Sequence, residues 1–193
     1  MATTKLIAEY FDSLAESWDS QAQHSQTGIN AMLTLADLQA GIRILDAGCG
    51  TGVLEDYLTP FHPSQVTGVD VSERMIQVAM KKHPESRYIC ADILEYECEQ
   101  PFQTVLIYNA FPYFLKRSPV LAKTAECLES GGRLMIFHNQ SREEMNAHHA
   151  TMPEGLSMVL PSAHTLAGML EDRYNVDIVV DTPQFYAVSG IKR

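Results

Sequence analysis

A glycine-rich turn is the segment of this sequence whose residue types and spacing point most directly to chemistry. Gly48, Gly50 and Gly52 follow a short apolar run that ends at Asp46. A strand that turns through glycines into a helix lets a ligand approach the backbone closely and presents free amide groups to it. Such a turn favours an anionic or polar ligand, although a purely structural turn uses the same residues.

An acidic residue follows at the distance where a nucleotide site needs one. Asp70 ends the next short strand-like run, 66–70. Its two carboxylate oxygens can accept hydrogen bonds from both hydroxyls of an unphosphorylated ribose, and the alternative role is helix capping. Val53 occupies the last glycine position of the dinucleotide fingerprint G-x-G-x-x-G. Since no Gly-Lys-Ser/Thr sequence follows the turn either, a phosphate-binding P-loop is excluded.

The elements that must position these residues alternate along the chain. The predicted strands are 42–46, 66–70, 88–91, 102–108 and 133–138, with a terminal pair at 177–180 and 185–191. The predicted helices are 6–18, 29–38, 53–58, 72–82, 119–128, 141–150 and 162–172. Strands that alternate with helices at this pitch predict an α/β fold, in which helices cover both faces of a parallel sheet.

We predict a single domain over residues 1–193, because the alternating core leaves no room for a separate substrate domain. The predicted parts are an N-terminal helical lid, a cofactor-binding core, a second lid or insert, and a C-terminal helix with a strand pair. Their respective ranges are 1–40, 41–138, 139–161 and 162–193.

Four segments stand in an order and at a spacing typical of one enzyme family. They are Leu-Asp-Ala-Gly-Cys-Gly-Thr-Gly at 45–52, Val-Asp-Val-Ser-Glu-Arg-Met at 69–75, Cys-Ala-Asp-Ile at 90–93 and Leu-Glu-Ser-Gly-Gly-Arg-Leu at 128–134. With them, residues 42–138 resemble a class I S-adenosylmethionine-dependent methyltransferase. The resemblance implies a Rossmann-like, doubly wound, mostly parallel seven-stranded sheet with an antiparallel C-terminal strand. It also implies S-adenosyl-L-methionine as the cofactor.

The resemblance further implies which residues bind that cofactor. The glycine turn approaches its amino-acid end, which Asp46 helps to orient, and Asp70 holds the ribose hydroxyls. Val71 and Ile93 pack on the two faces of the adenine, whose amino group Asp92 reaches. The full set of expected cofactor residues is Asp46, Gly48, Cys49, Gly50, Gly52, Asp70, Val71, Met75, Asp92, Ile93 and Asn109.

The methyl acceptor is expected beyond the carboxyl ends of the strands. Tyr108, Asn109 and His138 are the predicted catalytic residues, with His138 as the general base if the acceptor must lose a proton. The stretch 109–113 resembles the Asn/Asp-Pro-Pro-Tyr motif of amide and base-amino methyltransferases but departs from it at Ala110-Phe111, which argues against nucleic-acid and glutamine acceptors. The expected substrate contacts, which would serve equally well as core or cofactor-packing residues, are Tyr10, Trp18, Phe111, Tyr113 and His148.

A metal site is an alternative use of the histidines. His138, Glu144 and His148 could supply its ligands, because the last two stand four residues apart on one helix. Ser141 and Glu144 also have the spacing of a capping box, which accounts for Glu144 without a metal. We therefore expect no resident metal.

Composition narrows the partners. The 193 residues contain 14 Lys and Arg against 24 Asp and Glu, a formal net charge of −10. This charge disfavours nucleic acid and anionic membrane surfaces, and no apolar run approaches the ~20 residues of a membrane span. Four cysteines without a Cys-x-x-Cys pair predict reduced thiols in a cytoplasmic protein. We expect a monomer or homodimer that acts on a small-molecule acceptor.

Three other functions remain open at this stage. The chain could methylate a protein or carrier partner, or it could bind the cofactor without catalysis and regulate another molecule. A NAD-dependent oxidoreductase is a more distant alternative, because the glycine pattern departs from the dinucleotide fingerprint.

Overall fold

The described residues form one seven-stranded sheet. The computed structural model describes residues 4–21 and 25–193, so positions 1–3 and 22–24 of the predicted N-terminal lid lie outside the described residues. The strands are β1 (Arg43–Ala47), β2 (Gln65–Asp70), β3 (Arg87–Cys90), β4 (Phe102–Tyr108), β5 (Leu128–His138), β6 (Tyr174–Asp181) and β7 (Tyr186–Lys192). Their order is β3-β2-β1-β4-β5-β7-β6. Strands β1 to β5 pair in parallel and β7 is antiparallel to both of its neighbours, which confirms the predicted fold class.

The helices follow the predicted order with shifted ends. They are α1 (Thr4–Leu14), α2 (Trp18–Gln21), α3 (Gln26–Leu35), α4 (Glu55–Leu58), α5 (Glu73–Lys82), α6 (Arg117–Cys127), α7 (Arg142–His149) and α8 (Ala163–Leu170). The continuous helix predicted over 6–18 is wrong, because the chain turns after Leu14. There the amide and the hydroxyl of Ser17 both donate to the Leu14 carbonyl, and this local bonding competes with helix continuation.

Strand β5 begins five residues earlier than predicted. The helix predicted over 119–128 ends one residue earlier, since α6 stops at Cys127 and Leu128 already pairs with Phe102 in β5. The pairing register shifts between Phe102 and Thr104, and Gly131 adopts a φ of +78° in the bulged stretch opposite. A glycine pair therefore marks a bulge within the strand and not the end of the helix.

Both faces of the sheet are covered by apolar layers. Along β4, Val105 and Ile107 enter the layer that includes residues of α6 and α8, whereas Leu106 and Tyr108 enter the layer that includes residues of α3 and α4. Strands buried on both sides in this way produce the near-continuous apolar runs of the sequence. Within the described ranges, no helix is long and apolar enough to cross a lipid bilayer.

The prediction that all four cysteines are reduced is wrong for one pair. Cys98 and Cys127 form a disulfide with their Cα atoms 5.6 Å apart. Cys98 precedes β4 and Cys127 precedes β5, so the parallel pairing of these two strands brings together residues that are 29 positions apart in the sequence. Cys49 and Cys90 are free.

Candidate functional site

A cavity of about 400 Å³ opens at the carboxyl ends of β1, β2, β3 and β4. Strand β1 has β2 on one side and β4 on the other, so the chain reverses its direction of travel across the sheet at this point. Ligands of open α/β sheets bind at such a switch point. Of the residues predicted for the site, thirteen line this cavity: Trp18, Asp46, Gly48, Cys49, Gly50, Asp70, Val71, Met75, Asp92, Ile93, Tyr108, Asn109 and Tyr113.

The glycine turn brings the backbone close to the cavity. Gly48 has a φ of +79° and Gly50 a φ of +53°, both in the left-handed region that glycine tolerates best. The Gly48 amide donates to the Val69 carbonyl at 2.8 Å, which fixes the turn against β2. A Cβ added to Gly48 would stand 2.6 Å from the Cβ of Ala110, so no side chain fits there without movement.

Asp70 is held by backbone amides. The Gly50 amide donates to its Oδ2 at 2.9 Å, and the Ser72 amide donates to its Oδ1 at 2.9 Å. Burial raises the pKa of Asp70, and these amide hydrogen bonds oppose that rise because they favour the ionised form. Each carboxylate oxygen retains a second lone pair for a ligand hydroxyl.

Asp46 is a buried acid with an unsatisfied oxygen. Asp46 is only 1% exposed, and its Oδ1 has no hydrogen-bond partner among the described residues. Burial raises the pKa of Asp46 well above its usual value, and the charges of Glu55 and Asp70 raise it further. A buried carboxylate oxygen is costly without a donor. A ligand ammonium group would supply both the donor and the opposite charge, so this site fits the amino-acid end of the expected cofactor.

Around the third strand end, polar and apolar groups have separate roles. Asp92 accepts from the Leu94 amide at 3.0 Å and from the Thr4 hydroxyl at 2.9 Å. Val71, Met75 and Ile93 supply the apolar lining nearby. This combination suits a flat aromatic base: the apolar side chains can pack on its faces, and the carboxylate of Asp92 can accept a hydrogen bond from its amino group.

Asn109 stands at the carboxyl end of β4 in a strained backbone conformation. Its φ is +51°, which is uncommon for a residue with a side chain. The Asn109 side-chain amide donates to Asn139 Oδ1 at 2.9 Å, and the Asn139 backbone amide returns a bond of 3.3 Å to Asn109 Oδ1. This reciprocal pair couples the ends of β4 and β5 next to Tyr108. Strain of this kind occurs at functional sites where the surroundings enforce it.

Aromatic rings close the opposite side of the cavity. The Tyr113 ring packs edge to face on Phe11 with 4.8 Å between centroids, and its hydroxyl stands 3.6 Å from the sulfur of Met152. Phe11 also packs on Trp18 at 5.6 Å and on Tyr10 at 5.4 Å. Tyr10 supports this wall without lining the cavity.

Gly52, Phe111, His138 and His148 do not line the cavity. A Cβ on Gly52 would meet the Tyr88 hydroxyl at 2.7 Å, so this glycine serves packing behind the turn. Phe111 is fully buried in the core, under the guanidinium of Arg117.

His138 is buried at the end of β5 and does not line the cavity. Its ring packs on Tyr186 at 5.6 Å, and neither ring nitrogen has a partner among the described residues. Burial, with a smaller contribution from His149, lowers the pKa of His138 to about 3. The structure therefore does not place this imidazole where it could take a proton from an acceptor in the cavity.

The alternative metal ligands are not brought together. Glu144 completes a capping box with Ser141, as the sequence pattern indicates, and His148 lies on the exposed side of α7. In residues 4–21 and 25–193, no group of three His, Cys, Asp or Glu side chains is arranged to hold a metal ion.

Sequence reasoning missed several lining residues. Thr4, Ile7 and Phe11 line the cavity from α1, and Lys116 lines it where α6 begins. The helical spacing of Ile7, Phe11 and Trp18 indicates an apolar face, but not which surface that face covers. For Lys116 no sequence signal exists, because its place depends on how the 3₁₀ turn at Phe111–Tyr113 directs the chain.

Comparison with known proteins decides the family. Residues 44–132 match the family described as "Methyltransferase domain", and the matched range contains the glycine turn, Asp70, Asp92 and Asn109. Residues 44–132 are therefore a methyltransferase domain. The chain is 31% identical over 158 residues to the malonyl-[acyl-carrier protein] O-methyltransferase of Acetivibrio thermocellus. The aligned stretch covers 78% of the chain and 56% of that relative. The protein of the same name from Priestia megaterium is 28% identical and covers 81% of the chain and 61% of the relative.

The chain thus spans little more than half the length of these curated relatives.

Among solved structures, the N-methyltransferase NodS of Bradyrhizobium japonicum aligns with a TM-score of 0.74 at 15% identity, over 99% of each chain. Magnesium protoporphyrin IX methyltransferase from Synechocystis aligns with a TM-score of 0.71 at 15% identity, over 100% of this chain and 98% of the other. At such identities the likeness concerns the fold.

Proposed function

We propose that this methyltransferase transfers a methyl group from S-adenosylmethionine to the carboxylate of a small acid. The observation that carries the proposal is the chemistry of the described cavity lining, which provides no group suited to act as a general base. Asp46, Asp70 and Asp92 are the acids expected to hold the cofactor. Burial raises the pKa values of the Cys49 thiol and the Tyr113 hydroxyl, so these groups stay protonated near neutral pH.

A carboxylate needs no base. It is already ionised at neutral pH, whereas an alcohol or a protonated amine must lose a proton before or during methyl transfer. The cofactor supplies an electrophilic methyl group on a sulfonium centre. The carboxylate oxygen forms a bond to that carbon as the carbon–sulfur bond breaks and its electron pair goes to sulfur. The products are a methyl ester and S-adenosylhomocysteine, and no proton is released.

The residues of the chain then act by alignment and charge. Asp46 holds the amino-acid end of the cofactor and Asp70 its ribose. The Asn109–Asn139 pair holds the carboxyl ends of β4 and β5 in place beneath the acceptor. Phe11 and Tyr113 shield the reacting atoms from water, which strengthens the electrostatic interactions inside. Lys116 is the cation of the described cavity lining and complements an anionic acceptor.

A second candidate retains this chemistry but attaches the acid to a carrier protein. The names of the relatives favour it, because they describe O-methylation of malonyl-[acyl-carrier protein]. The two candidates differ only in what lies outside the cavity, so one experiment separates them.

The experiment uses S-adenosylmethionine with a deuterated methyl group. Free short-chain mono- and dicarboxylic acids, and the dicarboxylic acids as mono-thioesters of pantetheine and of an acyl carrier protein, are each incubated with the chain. We expect mass spectrometry to detect a deuterated methyl ester that alkaline hydrolysis removes. Turnover of free acids supports the first candidate, and turnover confined to carrier thioesters supports the second. An alkali-stable methyl group, or cofactor binding without turnover across the panel, would contradict the proposal.

A further inference from the structure

The N-terminal helices form one wall of the cofactor cavity. Thr4, Ile7 and Phe11 of α1 and Trp18 of α2 line it, facing the loops that follow β1, β2 and β3. The apolar contacts of this wall are few: Ile7 and Ala15 are buried, Phe11 packs on Tyr113, and α2 has no buried residue. Polar contacts also hold the segment in place.

Two aspartates of the segment bind the loops at the ends of β1 and β2. Asp12 Oδ1 accepts from the Ser72 hydroxyl at 2.6 Å and from the Arg74 amide at 3.0 Å. Asp19 Oδ1 accepts from the Thr51 hydroxyl at 2.5 Å, and its Oδ2 stands 2.8 Å from the Lys82 ammonium. The bonds to Ser72 and Thr51 link the N-terminal segment to loops next to predicted cofactor residues, and those to Arg74 and Lys82 link it to the two ends of α5.

The contact of Asp12 leads directly to the expected ribose-binding acid. Ser72 is fully buried and caps α5, because its hydroxyl accepts from the Met75 amide at 3.1 Å. The hydroxyl proton is therefore directed to Asp12, while the Ser72 backbone amide donates to Asp70. Asp12 thus fixes the residue that orients Asp70. Its negative charge also lies where the first turn of α5 presents unpaired amides, a favourable position for an anion.

The contact of Asp19 reaches the other partner of Asp70. Thr51 is fully buried and follows Gly50, whose amide donates to Asp70 Oδ2. By holding the Thr51 hydroxyl, Asp19 restrains the glycine turn at the point where it bonds Asp70. The two aspartates therefore act on the two amides that position one carboxylate.

We propose that Asp12 and Asp19 are positioning residues, which couple closure of the N-terminal segment to correct placement of Asp70 and thereby to cofactor binding. This inference rests on the cofactor half of the proposed function and is independent of the acceptor. Thr4 adds a third link, since its hydroxyl donates to Asp92, the acid expected at the adenine.

The sequence provides a convenient probe of closure. Trp18 is the only tryptophan of the chain and lines the cavity from α2. Its fluorescence therefore reports on the segment alone, and S-adenosylhomocysteine serves as the ligand because no acceptor or turnover is needed. The variants are Asp12→Ala, Asp12→Asn, which keeps an acceptor oxygen, and Asp19→Ala. Glu16→Ala removes an equal charge from an exposed position of the same segment and is the matched control.

With the unaltered chain we expect the ligand to shield Trp18 from acrylamide quenching. Asp12→Ala and Asp19→Ala should each weaken binding about fivefold to tenfold, the loss expected for a typical net hydrogen-bond contribution. Trp18 should then stay open to the quencher even at saturation. Asp12→Asn should recover most of the affinity, and Glu16→Ala should behave as the unaltered chain.

A different result is expected if Asp12 and Asp19 only stabilise the fold. In that case the alanine variants lower the melting temperature of the free chain but bind the ligand with unchanged affinity and shield Trp18 fully, which would overturn the inference. If the unaltered chain itself does not bind S-adenosylhomocysteine, the proposed function fails first, so the two failures are distinguishable.

Discussion

On the cofactor side of the cavity, carboxylates and backbone amides hold one another, whereas on the opposite side aromatic rings pack edge to face. Asp70 accepts two amide hydrogen bonds from loops that follow different strands. Tyr113 contacts Phe11 and Met152, and its hydroxyl reaches a weak sulfur acceptor. The first arrangement specifies one ligand geometry, while the second excludes water and tolerates ligands of different shape.

The comparison explains why related folds share a cofactor and differ in acceptors. Backbone amides and glycines cannot be rearranged without changing β1 and β2, whereas rings carried by α1, α2 and the 3₁₀ turn can change singly. Substitutions on the two sides should therefore differ in kind, and the four that follow run from the largest expected effect to the smallest.

Gly48→Ala should abolish cofactor binding. The new Cβ would stand 2.6 Å from Ala110, and the left-handed φ of +79° adds backbone strain of about 2 kcal/mol. Calorimetry with S-adenosylhomocysteine, combined with urea unfolding, measures both losses. The matched control is Gly41→Ala, at a φ of +81° with no described atom within 4 Å of the added Cβ. It should lose about 2 kcal/mol of stability through the same backbone strain and bind normally. Equal binding by both variants would show that the turn is only structural.

The contrast between these glycines shows what the sequence can reveal. Gly48, Asp46 and Asp70 are predictable because their roles depend on short-range spacing at two strand ends, where the backbone sets the geometry. The alternation of elements predicts the sheet for the same reason. The resemblance then turns the pattern into an assignment of roles.

Other features escape prediction because distant pairing creates them. His138 faces Tyr186 only because β7 inserts antiparallel beside β5, which places the imidazole in the core. The Cys98–Cys127 disulfide and the contact of Asp12 with Ser72 likewise join residues that are 29 and 60 positions apart. The positions of acidic residues along one helix do not indicate which loop their side chains will contact.

Asp46→Asn should weaken S-adenosylhomocysteine binding about tenfold to hundredfold, because the ligand ammonium loses its charged partner. The same substitution should stabilise the free chain at neutral pH. The pKa of Asp46 is raised in the folded state, so its contribution to stability is fully present below the unfolded pKa and is lost as the pH rises through the folded one. Urea unfolding as a function of pH should show the difference between variant and parent growing with pH. A difference that shrinks would contradict the buried-carboxylate account.

Asn109→Ala should lower the free energy of unfolding by about 2 kcal/mol, since a left-handed residue loses the paired side chain that enforces its conformation. Asn109→Gly removes the strain as well as the amide and should lose only about 1 kcal/mol. The double variant with Asn139→Ala should be less destabilised than the sum of the single changes, because both remove the bond from the Asn109 side-chain amide to Asn139 Oδ1. Strict additivity would show that the pair does not act as a unit.

His138→Phe should leave the rate of methyl transfer within about twofold of the parent. The imidazole lies outside the cavity, so its replacement removes no interaction with the transition state. Its effect should appear instead in acid. The folded-state pKa of about 3 lies below the usual value of 6.5, so the unfolded chain binds the proton first and stability falls as the pH drops from about 6.5 towards 3. The phenylalanine variant should lose less stability over that interval, although His149, with a pKa of about 4, still contributes. A large loss of rate with unchanged acid stability would instead place His138 at the reacting centre and remove the distinction between the two sides of the site.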